Sequence, residues 1–177
     1  VLKSGNKWDF LAFCGLKSQF WVGKAGVFRG VQHINMDAKG RLAMPARQRE
    51  PLLSASAGQV VITIDTQSAC LVIYPLPEWE RLEKDIQNLP TLNPAVKRFQ
   101  RLVLGYATDL ELDGNGRLLL PQSLRDHAKL DKRLVLVGQG NKMELWSEEL
   151  WMAERDQALQ DSGSGAELPP ELMALKL

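Results

Sequence analysis

The chain is poor in the residues that carry most metal and nucleophile chemistry. Its 177 residues hold two cysteines, Cys14 and Cys70, and two histidines, His33 and His127. Two cysteines make neither a disulfide framework nor a zinc site. The two histidines are too few and too isolated to be ligands, and both read as surface or strand-packing residues. A reducing, cytoplasmic home is therefore the expectation. Long apolar runs are missing: none approaches the roughly 18 residues of a membrane span. Near the start, Asp9 and Lys17 leave only Phe10 to Leu16 apolar, the short limit of a secretory signal. Neither sign of charge is in excess, with 22 Lys+Arg against 21 Asp+Glu and a net charge of +1. What is present, 45% hydrophobic and 24% charged residues, is the balance of an ordinary globular protein and excludes disorder for the bulk of the chain.

The near-zero net charge hides a pattern. Residues 1–26 are at +3, residues 27–92 at 0, residues 93–103 at +3 and residues 104–177 at −5. The basic segment 93–103 carries Lys97, Arg98 and Arg101 with no acid. Any binding to an acidic polymer must come from a local patch and not from bulk charge.

An internal repeat organises the chain. Asp37-Ala-Lys-Gly-Arg-Leu-Ala-Met-Pro45 recurs as Asp113-Gly-Asn-Gly-Arg-Leu-Leu-Leu-Pro121, at an offset of 76. The same offset aligns Arg49 with Arg125. Further on, Tyr74 and Trp79 match Trp146 and Trp151 at an offset of 72. A chance D-x-x-G-R-L is cheap, but two copies with matching tails indicate a duplication.

Each half reads the same way locally. Residues 30–36 alternate as a half-buried strand. Asp37 to Gly40 is turn chemistry, since an Asp side chain accepts from the backbone two residues on and Gly supplies positive φ. Asp113 to Gly116 repeats it. Residues 41–44 start a second strand, and Pro45 opens a short helix over residues 46–50. Pro51 should truncate or kink that helix. The second half lacks such a breaker, so Gln122 to Lys129 should form a longer one. Residues 59–65 and 70–74 are strong strands, with partners at 133–137 and 143–146. Each half ends in a helix. In the first, Pro77 opens it, and Trp79, Leu82, Ile86 and Leu89 form an apolar stripe. In the second, Ser147 caps a helix to about Leu159. A connecting helix from Asn93-Pro94 to Leu104 places Lys97, Arg98 and Arg101 within about 100° of one another.

These signals predict a mainly β fold with short helices. Two β-β-α-β-β repeats, each too small for its own core, would build one barrel about a pseudo-twofold axis. The expected organisation is an N-terminal extension at 1–26 and a first repeat at 31–78. Connecting helices follow at 79–103, a second repeat at 104–147, a C-terminal helix at 148–160 and a flexible tail at 161–177. Residues 1–26 have no repeat partner and an odd composition, so they read as a translated leader ahead of a natural start at Val27.

Several runs closely resemble the MraZ family. They are Val27-Phe-Arg-Gly30, the duplicated Asp-x-x-Gly-Arg, Tyr74-Pro-Leu-Pro-Glu-Trp79, Gln100-Arg-Leu102, Leu136-Val-Gly-Gln139 and Glu144-Leu-Trp146. The resemblance covers about residues 27–160. It implies a double-split barrel of two SpoVT–AbrB-like halves and a ring-shaped homo-oligomer. It also implies a bacterial transcriptional regulator in the cytoplasm at the nucleoid. Such a regulator binds repeated double-stranded DNA elements in the promoter of its own cell-division and cell-wall gene cluster. No cofactor, small-molecule substrate or membrane partner is implied. The motif's Asp and Arg are Asp37 and Arg41 in the first half, and Asp113 and Arg117 in the second. Lys39 is the basic residue inside the first motif. Asn115 stands there in the second, so that hairpin has lost a charge.

The candidate DNA contacts are accordingly Arg41, Lys39, Arg29 and Arg117, with Asp37, Gly40, Asp113 and Gly116 shaping the turns. An arginine can grip phosphate or the guanine edge with two parallel hydrogen bonds, which lysine cannot copy. Arg117 has a competing role as partner of Asp113. Lys97, Arg98 and Arg101 read as a solvated helix face or as a border to DNA or a neighbouring subunit. Trp79, Trp146 and Trp151 are expected in the core or an interface. An enzyme reading fails on chemistry. An aspartic-protease pair requires Asp followed by Thr or Ser and Gly, whereas these turns read Asp-Ala-Lys-Gly and Asp-Gly-Asn-Gly. No Ser–His or Cys–His set, phosphate loop or metal spacing appears. The remaining alternative to DNA binding is an oligomeric protein-binding scaffold.

Overall fold

In a computed structural model the described residues are 27–163. The expected leader, and the tail beyond residue 163, lie outside them. The order is β1 (Phe28–Asn35), β2 (Arg41–Ala43), α1 (Ala46–Ser56), β3 (Gln59–Ile64), β4 (Leu71–Pro75), α2 (Leu76–Gln87) and α3 (Pro94–Tyr106). It continues with β5 (Thr108–Glu111), β6 (Arg117–Leu119), α4 (Gln122–His127), β7 (Arg133–Gly140), β8 (Met143–Ser147) and α5 (Glu148–Gly163).

The strands pair in a way that no local signal announces. Six of them form an antiparallel sheet in the order β1-β7-β8-β4-β3-β5, and β2 pairs with β6 in a separate two-stranded ribbon. Exchanging each strand of one half for its counterpart in the other reverses the six-strand order and leaves the ribbon unchanged. That is the signature of a pseudo-twofold axis, here between β8 and β4. The two halves are interleaved: β1 pairs along its whole length with β7, and β5 pairs with β3. The mainly β, two-repeat fold is thus as expected. Its ladders run as two sheets, and among the described residues none joins β1 to β5.

Period-two alternation sends successive residues of one strand to opposite faces. On β3, Val60, Ile62 and Ile64 enter the main core, while Val61 faces the other way into a cluster with Trp79, Ile86 and Val103 of α2 and α3. On β7, Leu134 and Leu136 enter the main core, while Val135 and Val137 join Cys70 and Trp146 beneath Leu150 and Trp151 of α5. Each half therefore covers the outer face of its third strand with its own helices. Leu42, Leu118, Leu52 and Leu124 bring the ribbon, α1 and α4 onto the main core. Burial pushes the Cys70 thiol far above its ordinary range, so it is inert as a nucleophile.

Three expectations about helices are corrected. Helix α1 runs through Pro51 to Ser56 and is the longer of the pair, whereas α4 stops at His127. Pro51 removes one donor, that of the bond to Arg47, but Gln48 and Leu52 are both buried one turn apart. Burying Leu52 offsets the roughly 3 kcal/mol that an interior proline costs. Helix α4 ends early because its carbonyls are satisfied by a terminating turn. Leu130 N–H donates to the Arg125 carbonyl and Lys129 N–H to that of Asp126, with Lys129 at φ 50°. Helix α5 extends past Leu159, and Gln157 donates to Asp161 at 2.8 Å, so residues 161–163 are helical and not linker. At its start Leu150 N–H donates to Ser147 Oγ.

Candidate nucleic-acid interface

The two Asp-x-x-Gly-Arg segments close turns with the same set of hydrogen bonds. In the first, Asp37 Oδ1 accepts from the backbone N–H of Lys39 and of Arg41, each at 2.9 Å. Asp37 Oδ2 accepts from Arg41 Nε at 2.7 Å. In the second, Asp113 Oδ1 accepts from Asn115 N–H at 2.8 Å and from Arg117 N–H at 2.9 Å, and Asp113 Oδ2 accepts from Arg117 Nε at 2.8 Å. The backbone matches as well, since Gly40 and Gly116 N–H donate to the carbonyls of Asp37 and Asp113. Both glycines hold positive φ, +83° and +71°, a region that side chains rarely enter.

The donors fix the charge on each aspartate. The Arg41 N–H and then the Arg41 side chain hold the Asp37 carboxyl below its ordinary value. The Arg117 N–H, and behind it the Arg117 side chain, do the same for Asp113. Each arginine spends only Nε on this bond. The two Nη groups of each remain as a two-pronged donor edge, the shape that suits phosphate or guanine O6 and N7.

The ribbon merges the two turns into one surface. Its register sets Arg41 opposite Leu119, Leu42 opposite Leu118 and Ala43 opposite Arg117. Leu42 and Leu118 point inward and are fully buried. Alternation then puts Arg41, Ala43, Arg117 and Leu119 together on the outward face. The two arginines are diagonal neighbours there, roughly 7–8 Å apart. Both are about one-third exposed, and their aspartates about two-fifths. The candidate surface is therefore composite, one turn from each half, and not a single hairpin.

Lys39 is exposed at the tip of the first turn. Arg29 lies inside β1, at the end away from the Asp37 turn. Its carbonyl accepts from Gln48 Nε2 of α1 at 3.4 Å, so the chain there is tied to the helix and not to the tip of its own hairpin. Lys97, Arg98 and Arg101 are exposed on α3. His33 Nδ1–H donates to Glu148 Oε1 at 3.0 Å, and the His127 ring lies tilted against Tyr106 with ring centroids 5.6 Å apart. Among the described residues no group of His, Cys, Asp or Glu could hold a metal ion, and no helix is long and apolar enough to cross a membrane.

Two residues were passed over on the sequence. Arg125 of α4 lies against Gly40, and Arg49 of α1 lies against Gly116. The signal was their recurrence at the same offset as the motif itself. What it did not convey is that each reaches the turn of the other half.

The MraZ family profile, described as "MraZ protein, putative antitoxin-like", matches residues 27–102 and 103–167. The Transcriptional regulator MraZ of Halorhodospira halophila is 55% identical over 152 residues, covering 85% of this chain and all of that protein. Its namesake in Pseudomonas aeruginosa is 54% identical over 153 residues, again across 85% of this chain and all of the relative. That of Hydrogenovibrio crunogenus is 52% identical over 150 residues, across 85% of this chain and 98% of the relative.

Proposed function

The chain belongs to the MraZ family, and on that footing we propose that it is a DNA-binding transcriptional regulator. Its relatives carry the name of transcriptional regulators and not of enzymes. The observation that supports DNA contact best is the convergence of Arg41 and Arg117 on the outward face of one ribbon, each oriented by its own aspartate. An aspartate that takes Nε alone steers a guanidinium without using up the edge that reads nucleic acid. Arg41 and Arg117 contact base edges or phosphate, and Lys39 adds a phosphate contact beside Arg41. Arg29 flanks them.

The finer reading concerns how a nearly neutral protein holds DNA. One composite face offers about three such contacts, which supports only weak, salt-sensitive binding, roughly 10⁻⁴–10⁻⁶ M. A ring-shaped homo-oligomer repeats that face. DNA carrying equally spaced elements then makes each further contact effectively intramolecular and raises avidity by roughly 10²–10⁴. The target is the set of promoter repeats ahead of the protein's own cell-division and cell-wall genes, which places it in the cytoplasm at the nucleoid.

Titration of the protein against that upstream DNA tests the reading, with duplexes carrying one repeat, several in phase, and several with one shifted by about half a helical turn. Tight binding of the in-phase duplex alone is expected. Affinities no better than for unrelated DNA would overturn DNA binding and leave a protein-binding scaffold. Equal affinity for all three would overturn the multivalent mechanism.

A further inference from the structure

Each Asp-x-x-Gly-Arg turn is fastened from the opposite half at two points. One is backbone: Leu120 N–H donates to the Gly40 carbonyl, and Met44 N–H donates to the Gly116 carbonyl, both at 2.9 Å. The other is an arginine side chain. A methyl group on Gly40 would sit 2.9 Å from Cζ and 3.0 Å from Nε of Arg125. On Gly116 it would sit 2.5 Å from Cδ and 2.6 Å from Nη1 of Arg49. The guanidinium ends thus occupy the space that only a glycine leaves free. Both contacts cross between halves, and both are related by the pseudo-twofold axis.

These two arginines differ from Arg41 and Arg117 in their partners. Among the described residues neither Arg49 nor Arg125 forms an ion pair, and Nε of Arg125 is buried without a hydrogen-bond acceptor. No carboxylate holds Arg125 in place, and a buried donor left unmade costs stability that its packing must offset. What holds it is contact with the turn. A flat guanidinium covers the Cα of a glycine over a broad area, which the narrow ammonium of lysine does not.

We infer that Arg125 is a positioning residue for Arg41, and Arg49 for Arg117, each bracing the turn of the half to which it does not belong. Arg125 limits the motion of Gly40, and Gly40 closes the turn that Asp37 shapes. Asp37 in turn fixes Nε of Arg41. The reading arginine of each half is thereby set by the other half, and the two are presented as one unit. This inference rests on the DNA-binding reading for its functional consequence but not for its structural one.

Two measurements on the full chain separate them. The first needs no DNA. In Arg125→Leu, amide exchange of Lys39, Gly40 and Arg41 should quicken by about three- to thirtyfold, within the range of couplings between contacting residues. Exchange at Asn115, Gly116 and Arg117 should not change. Arg49→Leu should reverse the pattern. The second is DNA titration. Arg125→Leu should weaken binding by a similar factor in the parent and in Arg117→Ala, but add nothing in Arg41→Ala.

Faster exchange confined to the variant's own half, or in neither turn, overturns the inference. So does a loss of affinity that adds fully to Arg41→Ala, because Arg125 would then touch phosphate directly. If the parent does not bind the promoter DNA, the functional reading fails while the exchange pattern still decides the bracing. Arg125→Lys keeps the charge and the aliphatic stem. It should show the same cross-half pattern at smaller size, and it carries the test where Arg125→Leu does not fold.

Discussion

Leu42 and Leu118 face each other across the two-stranded ribbon, each with no exposed surface. They are the inward anchors of the surface that carries Arg41 and Arg117 outward. Because they are in contact and related by the pseudo-twofold axis, their loss should not add simply. Leu42→Ala and Leu118→Ala should each lower unfolding free energy by about 2–5 kcal/mol. The double variant should depart from the sum by roughly 0.5 kcal/mol or more. Urea titration of the four proteins measures both.

The unequal charge of the two turns gives a test by gain. Asn115 stands where Lys39 stands in the first half. Asn115→Lys should raise affinity for promoter DNA and steepen its dependence on salt by about one phosphate contact. Arg41→Ala should cost about 1–3 kcal/mol of binding with the fold intact, and Arg117→Ala should cost less because no lysine neighbours it. Titrations at several salt concentrations separate these effects.

Acid should loosen the turns in a defined direction. Asp37 and Asp113 bind their protons more weakly in the folded chain than their ordinary value of 3.8. A carboxyl of that kind stabilises fully above the ordinary value, and its contribution disappears as pH falls through the lower folded value. The effect should be small, because both groups are exposed and solvent screens them. Asp37→Asn with Asp113→Asn should therefore lower the melting temperature at neutral pH. It should also flatten the fall in melting temperature below about pH 3.8. Thermal melts from pH 7 down to pH 2 show whether the parent and variant curves converge.

Substitution of the turn glycines meets two obstacles at once. Gly40→Ala and Gly116→Ala place a side chain at positive φ and against an arginine of the opposite half. The backbone strain alone is about 1–2 kcal/mol, and the clash adds to it. Gly114, one position after Asp113, has nothing within 4 Å of where a Cβ would stand. Gly114→Ala should stay within about 0.5 kcal/mol of the parent. Melting temperatures of the three variants check the contrast.

Much of this molecule is legible along the chain because its signals are local. The alternation at 30–36, the Asp–Gly turns and the apolar runs at 59–65 and 133–137 each depend on neighbours within a few residues. Asp37 and Arg41 are four apart, so their bond is local as well. Other features are decided by tertiary contacts that no window contains. Pro51 lies inside a helix because Leu52, the next residue, is buried. Leu130 and Lys129 stop α4 through backbone bonds and not through a breaker residue. The pairing of β2 with β6 joins segments that carry the same motif, and identical patterns cannot say whether they meet each other or stay apart. Arg49 and Arg125 were visible as a matched pair, but the exchange of partners between halves was not.

The interleaving of strands has a consequence for the order of events during synthesis. β1 leaves the ribosome first, yet the strand that pairs with it, β7, follows roughly a hundred residues later. At ordinary rates of about 5–20 residues per second, β1 waits roughly 5–20 s without a ladder. No emerging half can complete its sheet, since each half lends one strand to the other. Val31 and the neighbouring edge of β1 are thus open to other nascent chains throughout that interval. Neighbouring ribosomes on one message would carry the same open strand. A late-closing topology makes translation speed and ribosome spacing part of what determines whether this protein reaches its fold.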